Sequence, residues 1–185
     1  MLQTTAIEKT LPVLVPVDFS AAMNESLLLA AQQADCSSQP LVVLHVAHDN
    51  ACRPNIYLRR NEQEQILPIE EIAEIMLHDS MDKMREQHPD SAVLAHARMI
   101  VVRGLPATRI LEIARQIEAG LIVMGGNGRS SLSKLIGGSV SEKVIRQSPV
   151  PVTIIHSNGT VQEHGRNDVR RTDGAEPSQV SVGLG

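Results

Sequence analysis

The sequence predicts a single open α/β domain built on a doubly wound, mostly parallel sheet of five strands. Short apolar runs alternate with amphipathic stretches of helical period from residue 11 to residue 155, and the order ends on a strand. Only 1% of the 185 residues are aromatic, so Val, Ile, Leu, Met and Ala must build the core. A core rich in branched aliphatic side chains is typical of parallel strands that are covered by helices on both faces.

Five apolar runs are predicted to form the buried strands. Proline, glycine or charged residues bound each run, and the third is best defined at residues 99–102. The predicted strands are 11–17, 41–46, 93–103, 121–124 and 152–155.

Four helices are predicted between these strands. Ser20 is a plausible N-cap for the first, and apolar residues at i, i+3, i+4 and i+7 mark the second. Pro106 lies at or near the start of the third, whose apolar stripe includes Ile110, Ile113, Ala114 and Ile117. The predicted helices are 21–34, 68–87, a helix that begins near residue 106, and 140–147; residues 48–65 are interpreted as a loop.

The composition divides the chain into three parts. Residues 1–10 are an N-terminal extension, and residues 11–156 form the domain. From residue 157 to residue 185 polar residues dominate and apolar residues are scattered singly. Such a tail buries too little surface to offset its chain entropy, so disorder is predicted there. A short partner-binding segment at residues 180–184 is the alternative.

Charge and composition exclude several classes of partner. The net charge is −4, and the pI is near 6.0, which argues against a nucleic-acid or anionic-membrane surface. No apolar run approaches membrane length, and residues 1–9 carry no signal segment. Cys36 and Cys52 have no pairing motif. A cytoplasmic protein is therefore expected.

The glycine-rich run at residues 124–139 carries the strongest functional signal. Gly125 and Gly128 follow the fourth strand, and nine residues separate Gly128 from Gly138 and Ser139, just before the last helix. Glycine lets backbone N–H groups surround an anion, and a helix N-terminus adds partial positive charge. The run matches neither the Walker A loop nor the compact dinucleotide fingerprint. The alternative is a loop whose glycines only make turns.

The spacing Gly-x2-Gly-x9-Gly-Ser resembles the nucleotide-binding branch of the universal stress protein family. Four segments carry the resemblance in the family's order. They are Val-Leu-Val-Pro-Val-Asp-Phe-Ser at 13–20, Val-Leu-His-Val at 43–46, Gly-Leu-Pro at 104–106, and the glycine run followed by Ser-Val-Ser-Glu-Lys-Val-Ile and Pro-Val-Pro-Val.

The resemblance implies a flavodoxin-like or Rossmann-like sandwich with strand order 3-2-1-4-5. It also implies a homodimer formed through the last strand, at Val152 to Ile155, and ATP, with or without Mg²⁺, bound along the C-terminal edge of the sheet. Asp18 would accept a hydrogen bond from the adenine, Val46 would pack on the base, and Arg129 could add charge for the phosphates. The full set of implied nucleotide contacts is Pro16, Val17, Asp18, Val46, Met124, Gly125, Asn127, Gly128, Arg129, Gly138, Ser139, Val140 and Ser141.

Two positions depart from the family's pattern. Many members have Ser or Thr and then His between the first two glycines, where this chain has Gly126 and Asn127. Asparagine carries no positive charge, which weakens phosphate affinity and any proton transfer. Gly120 stands where the family often has Asp, and we expect this change to alter a turn more than the site.

Three other groups of residues invite functional interpretations. His45, His48 and Asp49 suggest a metal site, but side chains three apart on a strand point to opposite faces, so a strand-end histidine pair is favoured. The methionines at 76, 81 and 84 are interpreted as core packing. The arginines at 53, 59 and 60 are interpreted as solvated, or as guarding a phosphate entrance.

The expected function is that of a dimeric ATP-binding regulator of a stress response, and not of an enzyme. No Walker A lysine, paired carboxylates or activated nucleophile is recognisable in the sequence. A nucleotide-free interaction protein on the same fold is the alternative, favoured by Gly126 and Asn127. An enzyme of the wider adenine-nucleotide α-hydrolase group ranks last, because residues 17–20 contain no glycine.

Overall fold

The computed structural model of the protein describes residues 10–20, 23–48, 67–126, 140–156 and 159–166. Within these ranges strands and helices alternate along most of the chain. In chain order the elements are β1 (Val13–Val17), α1 (Met23–Cys36), β2 (Leu41–Ala47), α2 (Ile69–Gln87), α3 (Ala92–Ala95), β3 (Arg98–Arg103), α4 (Pro106–Gln116), β4 (Leu121–Gly126), α5 (Val140–Gln147), β5 (Val152–His156) and β6 (Val161–His164).

The strands form one sheet in the order β3-β2-β1-β4-β5-β6. All pairs among the first five strands are parallel, and β6 pairs antiparallel with β5. The predicted α/β class, the doubly wound topology and the order 3-2-1-4-5 are therefore confirmed, with a sixth strand added at one edge.

Alternate residues of the strands enter two separate cores. Along β2, all seven residues are buried; Leu41 and Val43 belong to one core, and Val42, Leu44 and Val46 to the other. A strand with both faces covered is mostly apolar, which explains the aliphatic runs of the sequence; His45 is the buried polar residue of β2.

Helices α1 and α2 cover one face of the sheet, and α4 and α5 cover the other. The first core includes Leu27 of α1 and Met81 of α2, both fully buried. The second core includes Ile110 of α4 and Val144 of α5. Met81 and Met84 pack inside the first core, as predicted, whereas residue 76 is only half-buried.

The predicted third strand was wrong at its start. Residues 92–95 form the short helix α3, and β3 begins only at Arg98. The Ser91 side chain accepts a hydrogen bond from the Leu94 N–H at 3.3 Å, so it caps the helix. This capping hydrogen bond favours a helix at Val93 and Leu94, where the apolar pattern suggested a strand.

The predicted disorder of residues 157–185 was wrong for the segment that forms β6. The His156 N–H donates to the Thr160 carbonyl at 2.9 Å, and Gly159 adopts a φ of +78° in the turn between the strands. Strand β6 occupies the edge of β5 that the predicted homodimer would use. That contact through Val152 to Ile155 is therefore closed while β6 stays paired. Residues 167–185 lie outside the described residues.

Gly120 lies at the start of β4, at the end of the sheet opposite to the C-terminal edge. Its N–H donates to the Pro12 carbonyl at 2.9 Å. A Cβ atom at this position would lie 2.9 Å from Leu11 Cβ. The space beside the turn is therefore filled, which agrees with the expectation that this position affects the turn.

Candidate functional site

The pairing of β1 with β4 stops early, where the strand order reverses, and the gap beyond it is called the crevice below. The paired positions of β1 and β4 are only Val13 with Leu121 and Leu14 with Ile122. By contrast, β1 stays paired with β2 as far as Val17, and β4 with β5 as far as Gly126. The two central strands therefore separate toward their carboxyl ends, at the topological switch point that binds ligands in open α/β sheets.

The last residues of β1 and β4 line this crevice. Pro16 and Val17 end β1, and Met124 and Gly125 lie near the end of β4. The Met124 side chain is buried in the core under α4 and α5, and the Val17 side chain in the core of the other face. These side chains are therefore directed into the two cores, so that mainly backbone is left for a ligand; Pro16 has no N–H, and the Val17 carbonyl already accepts from His45.

Val46 reaches the same end of the sheet on β2. Its side chain is buried with Met124 in the second core. Because the side chain lies in the core, only its atoms nearest the carboxyl end of the sheet and the Val46 backbone are left for the predicted contact with a base. Two of the predicted base-binding residues, Val46 and Met124, are brought together on one face of the sheet.

Asp18 follows β1 directly and is exposed. The Ser20 N–H donates to Asp18 Oδ1 at 3.0 Å, so the carboxylate holds the turn into α1. Phe19 between them has a φ of 55°, which is uncommon for a bulky residue. A carboxylate has about four acceptor sites on its two oxygens, so this turn leaves capacity for a ligand. The structural and ligand-binding interpretations of Asp18 are therefore compatible.

His45 supports this turn from below. Its Nδ1–H donates to the Val17 carbonyl at 2.8 Å, and its ring centroid lies 4.3 Å from that of Phe19. The side chain is almost fully buried, and this burial lowers the pKa of His45 below its ordinary value of 6.5, outweighing the Val17 hydrogen bond, which raises it. A neutral imidazole thus fixes the end of β1 at the crevice.

We expect protonation of His45 to destabilise the fold. Because the pKa is lowered in the folded state, the unfolded chain binds the proton more readily. Stability is complete above the unfolded pKa of 6.5 and falls as the pH drops toward the lowered pKa of the folded protein. Urea unfolding at a series of pH values measures this dependence. In the variant His45→Gln the dependence between pH 6.5 and 5 should be flatter; an unchanged slope would contradict the assignment.

The sequence favours a strand-end histidine pair over a metal site at His45 and His48, and in the structure the two rings bond different backbone carbonyls. His48 Nδ1 bonds the Val46 carbonyl at 3.1 Å, and His45 bonds the Val17 carbonyl, so each ring is engaged separately. Among the described residues, no group of three or more His, Cys, Asp or Glu side chains could hold a metal ion. Asp49 and the arginines at 53, 59 and 60 lie outside these ranges.

The first glycine of the motif, Gly125, and the Gly126 that follows it belong to strand β4. Gly125 pairs with Ile155, and Gly126 pairs with His156. The predicted strand end at Met124 was therefore two residues too early. Helix α5, as predicted, begins at Val140, and β4 ends with Gly126 at the carboxyl edge of the sheet. Val140 and Ser141 thus bring a helix N-terminus to this edge.

His156 is a residue at this edge that the sequence did not single out. Its ring fills the space beside Gly126: a Cβ atom at position 126 would lie 2.7 Å from His156 Nδ1 and 2.7 Å from Ile154 Cγ2. The His156 Nε2 atom is buried and has no hydrogen-bond partner among the described residues. A side chain at position 126 would therefore collide with His156 and Ile154 unless they moved.

Five predicted phosphate contacts lie outside the described residues. They are Asn127, Gly128, Arg129, Gly138 and Ser139. At the described N-terminus of α5, Glu142 stands in the first turn and is bonded by Arg146 at 3.1 Å between exposed side chains. This ion pair offsets part of the negative charge that Glu142 would place beside an anion.

Comparisons with known proteins found a matching family model, similar sequences and similar solved structures. The model of the universal stress protein family matches residues 10–156. A universal stress protein of Mycolicibacterium smegmatis is 33% identical over 150 residues, which cover 81% of this chain and 47% of that protein. The chain thus spans about half the length of the first curated relatives that it matches.

Two solved structures share the fold. A universal stress protein in complex with cAMP superimposes with a TM-score of 0.58 at 20% identity, covering 80% of this chain and 97% of that one. The universal stress protein from Archaeoglobus fulgidus in complex with dAMP gives a TM-score of 0.52 at 21% identity, covering 78% and 96%. Of the helices in the described ranges, none has the length and apolarity needed to cross a bilayer. With a family model matched over nearly all of the α/β domain, the chain belongs to the universal stress protein family.

Proposed function

We propose that this protein binds an adenine nucleotide, ATP in the first instance, in the crevice between β1 and β4. The observation that carries the proposal is the separation of these strands beyond Leu14 and Ile122, at the switch point of the sheet. The glycine motif leaves β4 at the same edge, and α5 begins there. A base in the crevice and phosphates under the motif would thus be close to one another.

The residues divide into a base-binding and a phosphate-binding group. Pro16, Val17 and Asp18 would hold one side of the adenine, with Asp18 as acceptor for an N–H group. Val46, Met124 and Gly125 would contact the nucleoside. The remaining predicted contacts would surround the phosphates, with Mg²⁺ as the proposed counter-ion: Asn127, Gly128, Arg129, Gly138, Ser139, Val140 and Ser141.

The ligand class is supported by two neighbours of the same fold. The cAMP and dAMP complexes were formed by universal stress proteins that share the α/β sandwich with this chain. Both ligands contain adenine and one phosphate group, which are the two parts that the crevice and the motif would hold. Adenine nucleotides are therefore the first ligands to test, and ATP is the member that the glycine motif favours.

A regulatory role fits the crevice better than a catalytic one. Apart from Asp18, the described residues that line it offer backbone and apolar groups, which can hold a ligand but do not transfer protons. His45 is neutral and engaged with Val17 beneath the turn. Nucleotide occupancy would then act by favouring one of two surface conformations. The exposed, free thiol of Cys36 supports the cytoplasm as the compartment.

Calorimetric titration with ATP and with GTP, each with Mg²⁺, tests this function. We expect ATP to bind at least about tenfold more tightly than GTP, a difference of about 1.4 kcal/mol in binding free energy. The reason is that Asp18 and the strand backbones would form hydrogen bonds with the edge of adenine. Asp18→Asn keeps an oxygen for the Ser20 N–H and should weaken ATP binding by about tenfold or more. Equal affinities for the two nucleotides, or no binding of either, would refute the proposal.

A nucleotide-free interaction protein is the second candidate. One observation favours it: the His156 ring occupies volume beside Gly126, where the motif begins. Under this alternative the glycine run would serve a partner protein and not a phosphate. The same titration separates the two candidates, because only the first predicts saturable binding of ATP.

A further inference from the structure

His156 ends strand β5 with a side chain on the face of the sheet that α4 and α5 cover. Ile154, two residues earlier, packs in the second core, and side chains two apart on a strand share a face. Gly126 of β4 lies opposite His156 in the parallel ladder, at the carboxyl edge of the sheet. The His156 ring therefore lies on the α5 side of the sheet, next to the end of β4.

One edge of this ring lies against the backbone of β4. A Cβ atom on Gly126 would lie 2.7 Å from His156 Nδ1 and 2.9 Å from His156 Cε1. The ring can approach β4 this closely because Gly126 has no side chain. Side chains stand roughly perpendicular to a sheet, and Nε2 is on the part of the ring farthest from the β5 backbone. Nε2 therefore points away from the sheet, toward the layer of α5.

The N-terminus of α5 lies in that layer at a similar height. Helix α5 ends just before β5 begins at the amino edge of the sheet, so its first turn is nearer the carboxyl edge. Val144 packs in the second core with Ile154. Val140 is one helical turn before Val144, a step of about 5.4 Å toward the carboxyl edge. His156 is two residues after Ile154, a step of about 6.6 Å in the same direction.

The His156 Nε2 atom is buried, yet the described residues offer it no hydrogen-bond partner. A polar group in this state carries a free-energy cost that a partner would remove. The second core beside it consists of aliphatic side chains and Met124. Glu142, in the first turn of α5, is exposed and paired with Arg146. The partner of Nε2 is therefore to be sought in the space toward the start of α5, where the glycine motif ends.

We propose that a phosphate oxygen of the bound nucleotide accepts a hydrogen bond from His156 Nε2–H. This inference rests on the proposed function and adds a residue of β5 to the phosphate-binding group. Backbone N–H groups of α5 hold the phosphate from one side, and this imidazole holds it from the other. A hydrogen bond to a charged oxygen is about twice as strong as one between neutral groups. An imidazole is thereby presented to the phosphates although position 127 is Asn.

Two substitutions at His156 separate the hydrogen bond from the packing of the ring. His156→Phe keeps a flat ring beside Gly126 and removes the donor, whereas His156→Gln keeps an N–H group near the position of Nε2. Calorimetric titration of the full-length protein with ATP and Mg²⁺ compares them. We expect His156→Phe to bind ATP about tenfold more weakly or worse, and His156→Gln to stay within about threefold of the wild type. Adenosine, which has no phosphate, should bind all three proteins equally.

His164 provides a matched control. Its Nε2 atom is also buried without a partner in the described part of the chain, but His164 pairs with Val152 at the opposite end of β5. Four residues of strand, about 13 Å, separate the two positions. We expect His164→Phe to bind ATP as the wild type does. If both phenylalanine variants weaken ATP binding alike, His156 acts only through the stability of β5 and β6, and the proposal is overturned.

A nitrogen chemical shift reports the hydrogen bond in the wild type, where no substitution can disturb the fold. In protein labelled with nitrogen-15, the His156 Nε2 resonance is expected to shift on addition of ATP and to stay unchanged with adenosine. A wild type that binds neither ligand would overturn the proposed function, and this inference with it. A wild type that binds ATP with an unshifted Nε2 resonance, or full ATP affinity in His156→Phe, would overturn this inference alone.

Discussion

The double variant Gly138→Val and Ser139→Ala is expected to lose about 100-fold or more in ATP affinity while the fold survives. Both residues stand directly before α5 in the sequence. A valine side chain would fill the space that the phosphates need, and the alanine removes a hydroxyl donor. Hydrogen bonds to charged groups contribute about 1.5 to 3 kcal/mol each, so losing two accounts for this factor. Calorimetric titration with ATP and Mg²⁺ measures the loss.

A matched glycine substitution provides the control for this variant. In Gly165→Val the new Cβ atom meets nothing within 4 Å, and Gly165 lies beyond β6. We expect it to bind ATP as the wild type does. Thermal midpoints of all three proteins should agree within a few degrees. If the double variant binds ATP with wild-type affinity, the phosphate site has been placed wrongly.

Leu44→Ala is expected to lower the free energy of unfolding by about 2 to 5 kcal/mol, which is the range for leucine-to-alanine changes at buried sites. Leu44 is fully buried in β2, in the core beneath α4. The cost combines the lost transfer free energy of the side chain with the cavity left behind. Because native domains are stable by only about 5 to 15 kcal/mol, this one change removes much of the margin. Urea unfolding followed by circular dichroism measures the effect.

The same substitution at an exposed position is the control. Leu105 is 75% exposed at the N-cap of α4, so Leu105→Ala should change stability by no more than about 0.5 kcal/mol. If Leu44→Ala and Leu105→Ala were equally mild, β2 could not be a strand buried on both faces. The arrangement of two cores on one central sheet would then be incorrect.

The sheet could be predicted because its signals are local and repeated. Uninterrupted aliphatic runs mark strands with two covered faces, and the amphipathic stretches between them mark the crossover helices. The boundaries of α5 followed from the motif before it, and β1 ended at Val17 as the Asp18 signal indicated. The strand order came from the resemblance to the family, since apolar periodicity alone does not order strands in a sheet.

The errors arose where tertiary or short-range contacts outweigh the apolar pattern. Ser91 caps a four-residue helix inside a run that otherwise suggested a strand. Strand β6 is too polar to be recognised as a strand, because it is held by pairing with β5 and not by burial. The packing of His156 beside Gly126 depends on the register of β4 with β5, which the sequence does not contain.

The crevice between β1 and β4 also could not be predicted from the sequence. It depends on where the pairing of β1 with β4 stops, which is a property of sheet twist and of the helices that cover each face. The sequence could nevertheless place Asp18, Val46 and Gly125 at strand ends, and the carboxyl ends of parallel strands share one edge. Residue type and strand position together therefore indicate the proposed site, and the structure adds where the pairing of β1 with β4 stops.

The most direct test of the adenine-nucleotide assignment is to denature the purified protein and identify the released small molecules by mass spectrometry. The account predicts ATP or ADP at close to one molecule per chain, or, if none is retained, saturable binding of added ATP with Mg²⁺. Absence of any released nucleotide together with a blank titration would contradict the central claim. The fold would then serve protein contacts alone.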